Sequence, residues 1–154
     1  MYRVRVAQAL SRVTSKRTST ILPRMQSFVI EGGRPLQGTV RAAGNKNGAL
    51  PILAASVLAS EPVVLTNVPR IRDVETMLEI LDDLGAVVSW SSDNEVTVDA
   101  AGVAKTSLAP GLSREIRASF LLAGPLLARF GRATVPRPGG DVIGRRRLDT
   151  HIHP

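Results

Sequence analysis

Two short glycine-flanked clusters hold the residues of this chain whose types and spacing could do chemistry. In Pro138-Gly139-Gly140-Asp141-Val142-Ile143-Gly144-Arg145-Arg146-Arg147 a carboxylate follows a glycine pair and precedes three arginines. Glycines let a backbone approach a ligand closely. Arginines offer planar, permanently charged forks that match carboxylate and phosphate oxygens. An acid in that setting can move a proton beside a bound anion. Far upstream, Gly44-Asn45-Lys46-Asn47-Gly48 sets a further cation among glycines. Together the clusters point to chemistry on a phosphorylated small molecule. Each also has a plainer reading: the arginine run as a solvated charge cluster, and Lys46-Asn47 as a surface lysine beside a helix cap.

Composition narrows the classes. A chain of 154 residues can bury one core. Aromatic residues make up 3%, so there are few stacking platforms for single-stranded nucleic acid. Cysteine is absent, which excludes disulfides, thiolate metal sites and a cysteine nucleophile. The net charge of +7 resides in the first 24 residues, where Arg3, Arg5, Arg12, Lys16, Arg17 and Arg24 meet no acid. Residues 25–154 are nearly neutral, with fourteen basic against thirteen acidic side chains. No nucleic-acid partner is expected of that body. The leader has three open readings: a transit-type segment, a disordered tail, or sequence upstream of a true start at Met25. The longest apolar run, residues 118–128, is about half of a membrane span and contains Pro125, so no membrane insertion is expected. His151 and His153 have no acid or cysteine cluster beside them, so no metal site is read there.

The elements that must position these residues follow from periodicity. Residues 28–30 and 36–42 read as strands, the second weakened by Gly38. Asn47 is expected to cap a helix that buries Leu50, Leu53, Ala54, Val57 and Leu58, with Pro51 in its first turn. Residues 63–65 form a strand. Asp73 is expected to cap a second helix burying Val74, Met77, Leu78, Leu81 and Leu84, stopped by Gly85. Strands at 86–90 and 95–99 flank a turn at 91–94, with Trp90 in the core. A helix over 113–130, bent near Gly124-Pro125, leads to a strand at 132–135 and a loop at 136–144. Residues 50–59 and 120–129 begin similar stretches, a weak internal repeat of roughly 70 residues. One unit reads helix–strand–helix–strand–strand, and the second breaks off at Pro154, as a fragment would.

These blocks resemble the enolpyruvyl transferases, and within them the branch acting on UDP-N-acetylglucosamine. The residues responsible are Lys46-Asn47 followed by residues 49–53, Arg117-Ala118-Ser119, Gly124-Pro125-Leu126, the Pro138-Gly139-Gly140 loop with its acid and Ile143-Gly144, and Asp149-x-His151-Ile152. The resemblance covers about 28–152. It implies an α/β (α+β) fold, an inside-out α/β barrel of repeated βαβαββ units that is incomplete in this chain. It implies a basic leader at 1–24, strands of the other domain at 25–45, and a partial catalytic domain at 46–154. The repeats within that domain run from about 46 to 108 and from about 110 to 154.

The implied reaction moves the enolpyruvyl group of phosphoenolpyruvate onto the 3-hydroxyl of UDP-N-acetylglucosamine and releases phosphate, in the cytoplasm and without a cofactor. By resemblance Asp141 is the proton donor and Lys46 stabilises the departing phosphate. Asn47, Arg117 and Arg146 accompany the ligand anions. Residues Arg146, Arg147, Leu148, Asp149, Thr150 and His151 match the nucleotide-sugar segment. There the family usually reads Arg-Pro-Val-Asp-Leu, and Arg147 and Thr150 depart from it. Many members carry cysteine where Asp141 stands, which implies fosfomycin resistance here. The fragment alone is expected to be inactive. The alternatives are a shikimate-pathway enolpyruvyl transferase, disfavoured by Gly-Gly-Asp and Asp149-x-His151, and a non-catalytic binding remnant.

Overall fold

The structure is a computed structural model that describes residues 3–7, 27–31, 33 and 37–140. The chain divides into two compact units, residues 1–41 and 42–154. In the first, β1 (Arg3–Ala7) pairs antiparallel with β2 (Ser27–Glu31), Arg5 opposite Val29. No element is expected before residue 25 in the sequence reading, although the alternation in Arg3-Val4-Arg5-Val6 is a strand-like pattern. The strand expected at 36–42 is not formed over its described part, 37–42. Gly38 sits at φ 149°, outside the range of a regular strand, and no ladder partner faces these residues among those described.

The second unit begins with α1 (Lys46–Ala55), a 3₁₀ turn (Ser56–Leu58) and β3 (Val63–Leu65). Then come α2 (Arg72–Leu84), β4 (Val87–Ser92) and β5 (Glu95–Asp99). This is the helix–strand–helix–strand–strand unit of the sequence reading. The strand order is β3-β5-β4, and both outer strands run antiparallel to the central β5. β3 and β4 therefore point the same way, joined through α2, with the returning β5 between them. Val96 and Val98 of β5 are fully buried, and on α2 Val74, Met77, Leu81 and Leu84 are too. Each such side chain contributes about 1.5–3 kcal/mol by leaving water. Trp90 is only partly buried, with the Arg70 guanidinium 5.0 Å from its ring centre.

Two helix starts differ from expectation. Asn45, not Asn47, caps α1: its backbone is extended, and its Oδ1 accepts from Asn47 N at 2.7 Å and Gly48 N at 3.2 Å. Lys46 is thus the first helical residue, and Pro51 lies inside the helix, where it offers no N–H to the carbonyl of Asn47. Of the expected apolar face, Leu50, Leu53, Ala54 and Val57 are buried and Leu58 is exposed, because the 3₁₀ turn rotates it away. Ile71 rather than Asp73 is the extended residue before α2, so Asp73 falls in the first turn, where a carboxylate favours the positive end of the helix.

The single helix expected over 113–130 is three pieces. They are α3 (Pro110–Glu115), a 3₁₀ segment (Arg117–Leu122) and α4 (Ala123–Phe130). The break is at Ile116, whose φ/ψ of −130°/138° is extended, and not at Gly124-Pro125. Pro125 sits in the first turn of α4, where a missing N–H costs little. The strand expected at 132–135 reduces to one parallel bridge between Ser107 and Thr134, because its neighbour is a short stretch between Lys105 and Pro110.

Gly85 closes α2 in the left-handed region, φ 107°. A Cβ there would lie 2.6 Å from the carbonyl oxygen of Gly102, and one on Gly102 would lie 2.7 Å from that of Gly85. The turn after α2 and the turn after β5 therefore touch through two glycines. Gly85→Ala should lower the urea-unfolding free energy by about 1–3 kcal/mol. Gly111→Ala, with open space around its would-be Cβ, should change it little. Equal effects of the two would contradict this reading of the contact.

Candidate active site

The N-termini of α1 and α2 lie side by side. Lys46 Nζ donates to Asp73 Oδ2 at 2.8 Å, joining the first turns of the two helices. Both side chains remain about 40–45% exposed. One residue back, Arg72 Nη2 reaches Glu115 Oε2 at 3.4 Å, which links α2 to the last residue of α3. Between these pairs lies a cleft of about 350 Å³ lined by Arg72, Asp73, Arg114, Glu115, Ile116 and Gly140. Four of its six wall residues are charged, and it lies between the first turn of α2 and the C-terminal end of α3.

Of the glycine pair of the sequence reading, Gly140 lines this cleft. Gly139 N donates to Ser113 O at 3.1 Å and Gly140 N to Arg114 O at 3.2 Å. A Cβ on Gly139 would overlap the Arg114 carbonyl oxygen, so no other residue fits there. Gly140 has φ 87°, and a Cβ on it would come within 2.9 Å of Arg117 N and 3.4 Å of Arg117 Cβ. Of the expected site residues, Lys46 bonds to Asp73 on the cleft wall and Arg117 lies against Gly140, but neither is itself a wall residue. Asn47 is next to Lys46 on α1, and its backbone N–H is held by the Asn45 cap. Asp141, Arg146, Arg147, Leu148, Asp149, Thr150 and His151 lie outside the described residues, as does His153.

Two other hollows differ in chemistry. One of about 360 Å³ is lined by Glu75, Glu79, Asp82, Leu78, Val88 and Trp90, and its carboxylates suit no anion. One of about 200 Å³ lies between residues 44–52 and 65–68 and has no charged wall. Beneath it Gly44 is pressed to Asn67, whose carbonyl oxygen a Cβ on Gly44 would overlap. Asn67 is itself left-handed, φ 57°, a conformation asparagine tolerates better than most residues. This contact fixes the path of the chain into Asn45 and Lys46.

Sequence reasoning missed Arg72, Asp73, Arg114 and Glu115 as site residues. Asp73 is expected only as a cap, and the other three carry no expected role. The signal available was the pair of adjacent opposite charges, Arg72-Asp73 and Arg114-Glu115, each at a helix end. Only the break at Ile116 reveals that the second pair ends one helix rather than continuing through it.

Known proteins resemble this chain in sequence and fold. The family described as EPSP synthase (3-phosphoshikimate 1-carboxyvinyltransferase) matches residues 30–154. A UDP-N-acetylglucosamine 1-carboxyvinyltransferase of Bradyrhizobium diazoefficiens is 53% identical over 125 residues, 81% of this chain and 29% of that protein. Proteins of the same name from Treponema denticola and Borreliella burgdorferi are 49% and 44% identical over 83% and 84% of this chain, each covered over 30% of its length. The chain therefore spans about 30% of the curated relatives it matches. Among solved structures, the enolpyruvyl transferase NikO from Streptomyces tendae superposes with a TM-score of 0.56 at 33% identity, over 65% of this chain and 23% of that one. With the family matched over most of its length and the first helix–strand–helix–strand–strand unit formed, this chain belongs to the EPSP synthase family of enolpyruvyl transferases.

Proposed function

We propose that this chain supplies part of the active site of a cytoplasmic enzyme that moves the enolpyruvyl group of phosphoenolpyruvate onto the 3-hydroxyl of UDP-N-acetylglucosamine, the first committed step of peptidoglycan synthesis. The observation that supports it most is the charged cleft where Gly140, the residue before Asp141, meets the first turn of α2 and the end of α3. The names of the relatives favour the nucleotide-sugar substrate over the shikimate one. The domain division follows the same reading: residues 25–45 belong to one domain of the whole enzyme and residues 46–154 to part of the other.

Phosphoenolpyruvate brings a carboxylate and a phosphate, and Lys46, Arg117 and Arg146 offset them. Asp141 gives a proton to the methylene carbon, leaving C2 electron-poor. The sugar hydroxyl attacks C2 and loses its own proton, forming a tetrahedral adduct. Loss of a proton from the former methylene carbon then restores the double bond as phosphate leaves. Arg147, Leu148, Asp149, Thr150 and His151 hold the nucleotide sugar, and Asn47 contacts substrate beside Lys46. Asp141 must be protonated to begin the cycle. Burial beneath bound substrate favours that state and nearby arginines oppose it, so the bound anions help by offsetting the arginines.

The test replaces the matched 125-residue segment of the Bradyrhizobium relative with this one and follows phosphate release. Turnover is expected with UDP-N-acetylglucosamine and not with shikimate 3-phosphate. Lys46→Ala and Arg117→Ala should each lower kcat/KM by at least about a hundredfold, the scale of losing a group that stabilises transition-state charge. Preference for shikimate 3-phosphate would overturn the reading, and the 154-residue chain alone should show no turnover.

Fosfomycin separates the aspartate form from the cysteine form. A carboxylate is a weaker nucleophile than a thiolate. The chimera should keep its activity on incubation with the drug, and Asp141→Cys should make it lose activity with time. Inactivation of the unaltered chimera would contradict the role given to Asp141.

Asp73 competes with substrate for Lys46. An exposed ion pair of this kind is worth up to about 1 kcal/mol. Asp73→Asn should therefore tighten inorganic phosphate binding by roughly fivefold in calorimetry. It should shift the unfolding free energy by less than about 1 kcal/mol, since the pair is exposed. Weaker phosphate binding would show that Asp73 positions Lys46 rather than competing for it.

A further inference from the structure

In an unbroken helix the carbonyls of Ser113 and Arg114 would accept from the N–H groups of Arg117 and Ala118. The extended residue Ile116 ends α3 first. The two oxygens accept from Gly139 and Gly140 instead, at 3.1 and 3.2 Å. The interruption is thus the seat of the loop. What holds it is Ser119, which is fully buried and whose hydroxyl lies 2.9 Å from Ile116 O and 3.1 Å from Ser113 O. Ser113 O therefore takes contacts from both Ser119 Oγ and Gly139 N. The hydroxyl of Ser113 is equally buried and has no partner among the described residues.

The geometry points to Ser119 as a positioning residue: its hydroxyl keeps the helix broken at Ile116, so that the freed carbonyls of Ser113 and Arg114 hold the Gly139-Gly140 segment leading into Asp141. The catalytic meaning of this rests on the proton-donor reading of Asp141, but the hold itself does not. Ser119 touches no reacting atom; it acts through two backbone carbonyls.

Amide hydrogen exchange on the 154-residue chain reads the hold directly, without turnover. In Ser119→Ala, exchange at Gly139 and Gly140 should accelerate about tenfold, the scale of one lost buried hydrogen bond. Leu81 and Val98 in the core should keep their rates. Ser113→Ala removes an equally buried hydroxyl that has no partner and should leave Gly139 and Gly140 within about twofold. Ser119→Thr, which keeps the hydroxyl, should restore their protection. Gly139→Ala approaches from the other side, since its Cβ would overlap Arg114 O; it should free Gly140 while the core holds.

Four results would overturn the proposal. They are unchanged Gly139 and Gly140 rates in Ser119→Ala, an equal loss in Ser113→Ala, an equal loss at Leu81 and Val98, or a still-protected Gly140 in Gly139→Ala. Intact protection in a chimera that fails to turn over would instead count against the enzymatic reading alone.

Discussion

One steric constraint underlies the site: the backbone at Gly139 lies against the carbonyl of Arg114 at a distance no side chain allows. A helix that ran on through Ile116 would use that carbonyl internally and leave the loop nothing to bind. The extended residue at 116 and the missing side chain at 139 are therefore two halves of one contact. Arg114 and Glu115 on one side and Gly140 on the other then line the same cleft.

The rest of the unit supplies a rigid base for that contact. α2 buries one face, Val74, Met77, Leu81 and Leu84, against the β5–β4 hairpin and its neighbours. Its C-terminal end is pinned: Gly85 meets Gly102, and Ala104 N and Lys105 N donate to Leu84 O at 3.2 and 3.3 Å. A helix fixed along one face and at its far end has little freedom at its start. Arg72 and Asp73 occupy that start, so their reach to Glu115 and Lys46 is set by packing that runs from Val74 to Gly85, as far as about 18 Å along the helix.

Much of this was legible in the sequence, and the misses have physical causes. The apolar face of α2, its glycine stop and the β4–β5 hairpin are local patterns, and each was readable. The caps were harder. Asn45 and Asn47 both have the right side chain, and only the backbone decides which is extended before the first turn. The break at Ile116 has no glycine or proline to mark it; Gly124-Pro125 carries the usual warning and is helical. Tertiary bonds from Ser119 and from the distant glycines stabilise the break. The glycines lie 23 and 24 residues beyond Ile116, so periodicity near 116 does not contain them.

Charge shows the same limit. The sequence holds many arginines, and their number says little about which serve the site. Arg129 Nη1 donates to Val57 O at 2.7 Å and to Ala100 O at 2.9 Å, tying α4 to the turn after α1 and to the end of β5. Arg70 lies over Trp90 and pairs with Glu75. These two are structural. Arg72 and Arg114 face the cleft, and the first already has a carboxylate, Glu115, as Lys46 has Asp73. Arg72 and Lys46 therefore begin neutralised, and an anion that took either would first have to displace a carboxylate, which weakens its binding relative to an unpaired cation.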